Sequence, residues 1–277
     1  MPPQAIVYEG RVEQDVNVYV IDPASGVSTQ LTSETGYDGN PGWSTDYSRI
    51  VFSSDRDLGG QKNDLYTMNP DGSDVRRVVD TPDDSEYSAR YSPDGTRIGY
   101  VTRRADGYHV ATMATDGTDI RTHAGPYDFA EFPAWARDGS ELFVAMIEPG
   151  LTDGADIMGV NLSTGAVRKV VSTPAADVCP HVSRDGGTLT YATAVGDGEQ
   201  DIYEHDLSSS DASGADDVQL TSNAARDDYS APSPDGSEYV FLSNRDGNME
   251  LYLMGKDGSG QSRLTTTADV RENVPDW

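Results

Sequence analysis

The C-terminal stretch Glu272-Asn273-Val274-Pro275-Asp276-Trp277 has the form of Asp38-Gly39-Asn40-Pro41-Gly42-Trp43, which opens an internal repeat, while the N-terminus begins partway through a repeat at Ala5-Ile6-Val7-Tyr8. An opening strand left over at one end and missing at the other marks a ring closed between its ends. The turn after each opening strand gives five copies: Trp43-Ser44-Thr45-Asp46-Tyr47, Tyr91-Ser92-Pro93-Asp94-Gly95, Trp135-Ala136-Arg137-Asp138-Gly139, Val182-Ser183-Arg184-Asp185-Gly186 and Pro232-Ser233-Pro234-Asp235-Gly236. Their aspartates lie 44 to 50 residues apart, the length of one four-stranded blade. Five copies and the split one predict an all-β chain: a six-bladed β-propeller of four-stranded blades, its ring closed by the C-terminal strand joining the N-terminal blade. Residues 1–277 are read as a single domain.

Each copy continues with a short apolar strand, such as Arg49-Ile50-Val51-Phe52 or Tyr239-Val240-Phe241-Leu242, and then a strand such as Leu65-Tyr66-Thr67-Met68 or Leu251-Tyr252-Leu253-Met254. Short β-type runs between Asp-Gly turns are hairpin grammar, and no stretch has sustained helical periodicity. The Ser and Asp of Ser-Pro-Asp-Gly recur in the blades and are read as turn builders: Pro presets φ, Asp bonds the turn, and Gly takes positive φ.

The sequence of elements Asn-Pro-x-Trp-Ser-x-Asp, apolar strand, Ser-x-Arg-Asp-Gly, Ile/Leu-Tyr-x-Met, Asp-Gly and Leu-Thr resembles the TolB-type propeller repeat. Phe52-Ser53-Ser54-Asp55-Arg56-Asp57 with Asp64-Leu65-Tyr66-Thr67-Met68, and Phe241-Leu242-Ser243-Asn244-Arg245-Asp246-Gly247, carry it most closely. The resemblance extends over essentially the whole chain and implies the propeller fold; the same repeat serves binding proteins, lyases and non-catalytic domains of peptidases.

The net charge of -27 comes with only three lysines, Lys62, Lys169 and Lys256. Such a surface repels nucleic acid and anionic membranes, and resembles the carboxylate shell of halophile proteins. It also disfavours close self-association, which predicts a monomer. The single cysteine, Cys179, rules out an intrachain disulfide and reads as a buried thiol. No apolar run reaches membrane-spanning length, and Met1-Pro2-Pro3 leads into the first blade without a signal-peptide core. As it stands the sequence reads as cytoplasmic, or as periplasmic or extracellular if a signal has been removed.

Candidate sites follow from blade geometry. Three residues before the Pro or Ala of the opening strand stand Asp38, Glu86, Asp177, Asp228 and Glu272, with Ala130 in the remaining blade. Carboxylates converging on one pore mouth require neutralisation, and hard oxygen ligands favour a divalent cation, calcium first. The alternative is that these side chains splay into solvent or cap loops. The third strands begin with Asn17, Asp64, His109, Asp156, Asp201 and Glu250, a polar position that points to a shared structural task. Arg56, Arg104 and Arg245 lie on the same face, where they could bind a ligand's carboxylates or pair with the acidic positions, the latter favoured by the excess of acid. His181, beside the channel wall, is the strongest candidate for a base, with His109 second.

The function read from this pattern is a non-catalytic binding module that recognises a protein or glycan on its loop face, with a divalent cation at the channel mouth. The alternative is a metal-assisted lyase of the oligogalacturonate-lyase type, with His181 and His109 as catalytic residues. No Gly-x-Ser-x-Gly elbow is present.

Overall fold

The computed structural model describes residues 5–277, apart from 61, 82, 153 and 197; Met1-Pro2-Pro3 lies outside them. It contains six four-stranded antiparallel sheets arranged as the blades of a propeller. We number them 1 to 6 in chain order. Blade 1 takes its outer three strands, Ile6–Val12, Asp15–Asp22 and Val27–Gln30, from the N-terminus, and its inner strand, Arg271–Asp276, from the C-terminus. Val7 pairs with Asp276 and Gly10 with Glu272, so the ring closes as the two chain ends foretell. The inner strands of blades 2 to 6 are Asp38–Trp43, Ser85–Tyr91, Phe129–Trp135, Asp177–Val182 and Asp227–Pro232.

Successive side chains of a strand face opposite blades, which is why apolar residues run continuously rather than alternately. Ile6 and Tyr8 pack with Val240, Leu242 and Leu251 of blade 6, whereas Val7, Val18 and Val20 pack with Ile50, Phe52 and Met68 of blade 2. The core therefore lies between the blades. The seam between blades 1 and 2 carries two further bonds: Trp43 donates its indole N–H to the Ala5 carbonyl (3.0 Å) and its amide to Asp276 (2.7 Å).

The Ser-x-Asp-Gly residues build the turns. Ser92 Oγ donates to Asp94 (2.6 Å), Asp94 accepts the Thr96 amide (3.0 Å), and Gly95 takes a φ of 70°. The same bonds recur at Asp46, Asp185 and Asp235. Ser and Asp are thus turn residues, as the sequence implies.

One regularity of the inner strands is not visible in the hydrophobic pattern. All six are bulged at the same place, where the register of pairing slips. One residue in each bulge, Asn40, Ser88, Phe132, Cys179, Tyr229 or Val274, has φ between 43° and 57°. In four blades the next residue is proline, which has no N–H to lose from a ladder: Pro41, Pro133, Pro180 and Pro275. Among the described residues no helix is long and apolar enough to cross a membrane.

Candidate functional site: the central channel and its two mouths

The bulge aligns the blades and corrects the register of the acidic ring. Counting back from the positive-φ residue gives Asp38, Glu86, Ala130, Asp177, Asp227 and Glu272, so blade 6 contributes Asp227 at this position, not Asp228. The sequence alignment is displaced there because Ala231, not Ser230, resembles the Pro/Ala of the other blades.

These carboxylates are buried and engaged with neighbouring groups of the protein, Asp38 within its own blade and Glu272 across the seam to blade 6. Asp38 accepts from Ser54 Oγ (2.5 Å) and Arg56 Nη2 (2.9 Å). Asp227 accepts Arg245 Nη2 (2.9 Å) and Asn223 Nδ2 (2.5 Å). Asp177 takes the amide and hydroxyl of Thr173 (2.7 and 2.8 Å), and Glu272 the Leu251 amide (2.7 Å) with the hydroxyls of Thr265 and Thr267. Glu86 is bonded by Thr81 and stands beside Asp64. Among the described residues no group of three or more His, Cys, Asp or Glu is placed to hold a metal ion.

Arg56 and Arg245 are spent in the same way. Each guanidinium lies over two rings of its own blade, Arg56 over Phe52 and Tyr66 (5.1 Å to each centroid) and Arg245 over Phe241 and Tyr252 (5.4 and 4.8 Å). The aspartate after each arginine accepts the tyrosine hydroxyl: Asp57 from Tyr66 at 2.6 Å, and Asp246 from Tyr252. The Arg-Asp pair of the repeat is therefore a lock within one blade, not a bridge between blades. Arg104 pairs with Asp84 at 3.2 Å and Thr122 at 2.9 Å. The polar start of the third strand has a shared task as expected, although it ties that strand outward: Asn17 to Thr32, Asp156 to Lys169, Asp201 to Thr221, and Glu250 to Arg263. His109 belongs to this set. It bonds Asp106 (2.9 Å) beneath Gly125, in the outer part of blade 3, away from His181 on the inner strand of blade 5.

What faces the channel is a different group. Glu9 of blade 1 reaches across to blade 2, where it accepts the Asn40 amide (3.3 Å) and the Tyr37 hydroxyl (3.2 Å). Burial pushes its carboxyl up despite these bonds. Phe132 of blade 4 meets Tyr229 of blade 6 edge-on, ring centroids 5.0 Å apart, so bulge residues from non-adjacent blades touch and narrow the channel. Burial raises the Tyr229 phenol, and Cys179, Asp228, Glu131 and Glu9 add to it, which sets those four groups around this constriction. Burial likewise raises the Cys179 thiol, so it is a poor nucleophile. Beneath lies a void of about 10 Å³, room for one water, bounded by Arg90, Cys179, His181 and Tyr229. His181 Nε2 sits 3.5 Å from Asp276, and burial lowers the imidazole pKa although Asp276 opposes this. Sequence reasoning found His181 but missed Glu9, Glu131, Arg90 and Asp276; the bulge signal, a non-glycine followed by Pro, Ala or Ser, would have located the constriction.

Several buried acids hold protons unusually firmly. Burial, with a contribution from Asp64, pushes Glu86 up to about 8; burial also takes Glu131 and Glu272 to about 7 and Asp228 to about 6. Unfolded carboxyls titrate near 4, so the folded chain binds more protons than the unfolded one from there to about pH 8, and stability falls as pH rises through that window. The turn aspartates have the opposite sign: hydrogen bonds from Ser and Thr hold Asp46, Asp94 and Asp138 low, and their contribution is lost below about pH 4. Urea denaturation at fixed salt is therefore expected to give greatest stability near pH 5 and a decline towards pH 8. In Glu131→Gln that decline shrinks by about 1–3 kcal/mol. A wild-type profile that rises from pH 5 to 8 would contradict the burial of these acids.

Taken together, the fold and channel define a six-bladed propeller whose signature residues are structural and whose individuality lies in its lumen. The chain belongs to the TolB beta propeller domain family, whose model matches residues 4–143. It is 30% identical over 149 residues to protein Atu1656 of Agrobacterium fabrum, a match that covers 50% of each chain. The structure of TolB from Acinetobacter baumannii superposes with a TM-score of 0.83 at 14% identity, over 99% of this chain and 66% of that one. Oligogalacturonate lyase in complex with manganese gives 0.63 at 18% identity, over 94% and 73%. At these identities the likeness to the solved structures is one of fold. The chain spans about half the length of its Agrobacterium relative.

Proposed function

We propose that the chain is a non-catalytic binding module that receives a cationic group, a basic side chain of a partner protein, in the loop-face half of its channel. The observation that supports this most is a set of acceptors without donors: Oδ1 of Asn40 and Oδ1 of Asp228 are buried and carry no hydrogen bond among the described residues. Unpaired buried acceptors cost about 1–3 kcal/mol each, which a ligand bringing N–H donors and positive charge repays. Glu131, whose carboxyl is pushed up to about 7 by burial and then by Glu9, gains a reason to ionise when such a group arrives. A calcium ion is the smaller ligand that the oxygens of Asn40, Glu131 and Asp228 would also accept.

Calorimetric titrations with tetralysine and, separately, with calcium test this reading on the wild type and on Glu131→Gln/Asp228→Asn. The expected result is at least tenfold weaker binding of one probe in the double variant, with little change in a control that neutralises the exposed turn residues Asp71 and Asp116. Equal effects of both pairs would reduce the binding to general attraction by the net charge and overturn the proposal.

A further inference from the structure

We propose that the opposite mouth of the channel, on the turn face, is a separate ligand site for a carboxylate carried on a small ring-shaped body. The cavity there measures about 210 Å³ and is lined by Trp43, Trp135 and Trp277, all the tryptophans of the chain, together with Arg90, His181 and Arg184. Pockets for drug-sized ligands run to roughly 300–1,000 Å³, so this one suits a single ring with one substituent.

The charge of its lining runs against that of the molecule. In a chain of net charge -27, the cavity is lined by Arg90, Arg137 and Arg184 with Asp276 as the one acidic side chain among its lining residues. Two of these arginines are occupied. Arg184 Nη2 donates to the Trp277 backbone oxygen (2.5 Å) and the Tyr47 hydroxyl (3.3 Å), its Nε donates to the Ser233 carbonyl (3.2 Å), and Arg137 donates to the Arg184 carbonyl. Arg90 is different. Its Nη1 donates to the carbonyls of Ala89 (2.8 Å) and Asn40 (3.3 Å), while Nε and Nη2 carry no hydrogen bond among the described residues. A guanidinium fork with three of its five N–H donors, on Nε and Nη2, not engaged by the described residues, at the floor of an aromatic cavity, matches the two oxygens of a carboxylate. Trp43, Trp135, Tyr47 and Tyr91 then supply walls for the ring attached to it.

The turn aspartates Asp46, Asp94, Asp185 and Asp235 lie on this face and oppose an anion's approach from a distance, whereas the half-buried Arg90 acts at contact. Salt screens the first more than the second: the Debye length falls from about 30 Å at 0.01 M to about 8 Å at 0.15 M. Affinity is therefore expected to rise severalfold over that range, opposite to an exposed arginine site.

Because all the tryptophans line the cavity, intrinsic fluorescence reports its occupancy. The probes are galacturonate and phenylacetate, which separate a saccharide ring from an aromatic one, with galactose and phenylacetamide as their uncharged counterparts. Saturable quenching by at least one acid, at least tenfold weaker with its uncharged counterpart and in Arg90→Met and partly restored in Arg90→Lys, is expected. In the wild-type protein the same acid should shift the His181 imidazole resonances, a readout that does not depend on a variant folding. Absence of saturation with both acids up to tens of millimolar, or quenching equal for acid and uncharged counterpart, would overturn the proposal. The Glu131→Gln/Asp228→Asn variant should bind the acid as the wild type does, so failure at one mouth is distinguishable from failure at the other.

Discussion

Replacing Arg56 by alanine is expected to destabilise the protein by about 3–5 kcal/mol, although the residue belongs to a loop. The Arg56 side chain is 16% exposed and Asp38 only 2%, so removing the guanidinium leaves a buried carboxylate whose remaining side-chain partner is Ser54. Two cation–π contacts, with Phe52 and Tyr66, are lost at the same time. For a chain somewhat larger than 150–250 residues each kcal/mol lowers the melting temperature by about 2 °C or slightly less. The decisive measurement is a double-mutant cycle with Asp38→Asn, because a neutral amide no longer needs the guanidinium. The double variant should be markedly less destabilised than the sum of the single variants. Additivity within about 0.5 kcal/mol would show that the pair is not coupled. Arg245 with Asp227 provides the same test in blade 6 at an equal distance, 2.9 Å.

The largest effect is expected from removal of residues 271–277. This deletes the inner strand of blade 1, the Glu272 carboxylate that holds Leu251, Thr265 and Thr267 of blade 6, and the Asp276 bond to Trp43 of blade 2. Strand Ile6–Val12 would then present an apolar inner edge containing Ile6, Val7 and Tyr8, which are buried in the closed ring. Loss of the single cooperative unfolding transition, with aggregation or expansion visible by light scattering, is the expected outcome. A synthetic peptide spanning Arg271–Trp277, supplied in excess, should recover part of the transition by re-forming the pairing. A truncated chain that melts like the intact one would mean that the ring does not depend on its closure.

The fold was legible in the sequence because repetition multiplies weak signals. No single Ser-x-Asp-Gly turn specifies a propeller, yet five at a nearly constant interval and a surplus strand at Trp277 do. The site was less legible. Asp38, Glu86, Asp177 and Glu272 were correctly aligned, but alignment does not tell whether a carboxylate faces a pore or an arginine of its own blade. That depends on the pairing of Ser54 and Arg56 with Asp38, which involves residues on different strands. Asp228 was misplaced by one residue because a bulge inserts an unpaired position, and in a strand a one-residue slip turns every side chain to the other face. Arg90 was missed because it lies in the opening strand of blade 3, whose motif positions are otherwise ordinary, and its importance comes from neighbours in blades 2, 5 and 1.

The six bulges separate what repeats from what distinguishes. Flanking positions obey the repeat, with an acid two residues before in five blades and proline one residue after in four, whereas Asn40, Ser88, Phe132, Cys179, Tyr229 and Val274 are six different amino acids. A blade could thus be duplicated or exchanged without disturbing the ring, while a change of one letter at this position would alter the bore of the molecule. The scaffold is written six times over; the aperture is spelled once, by six letters drawn one from each blade.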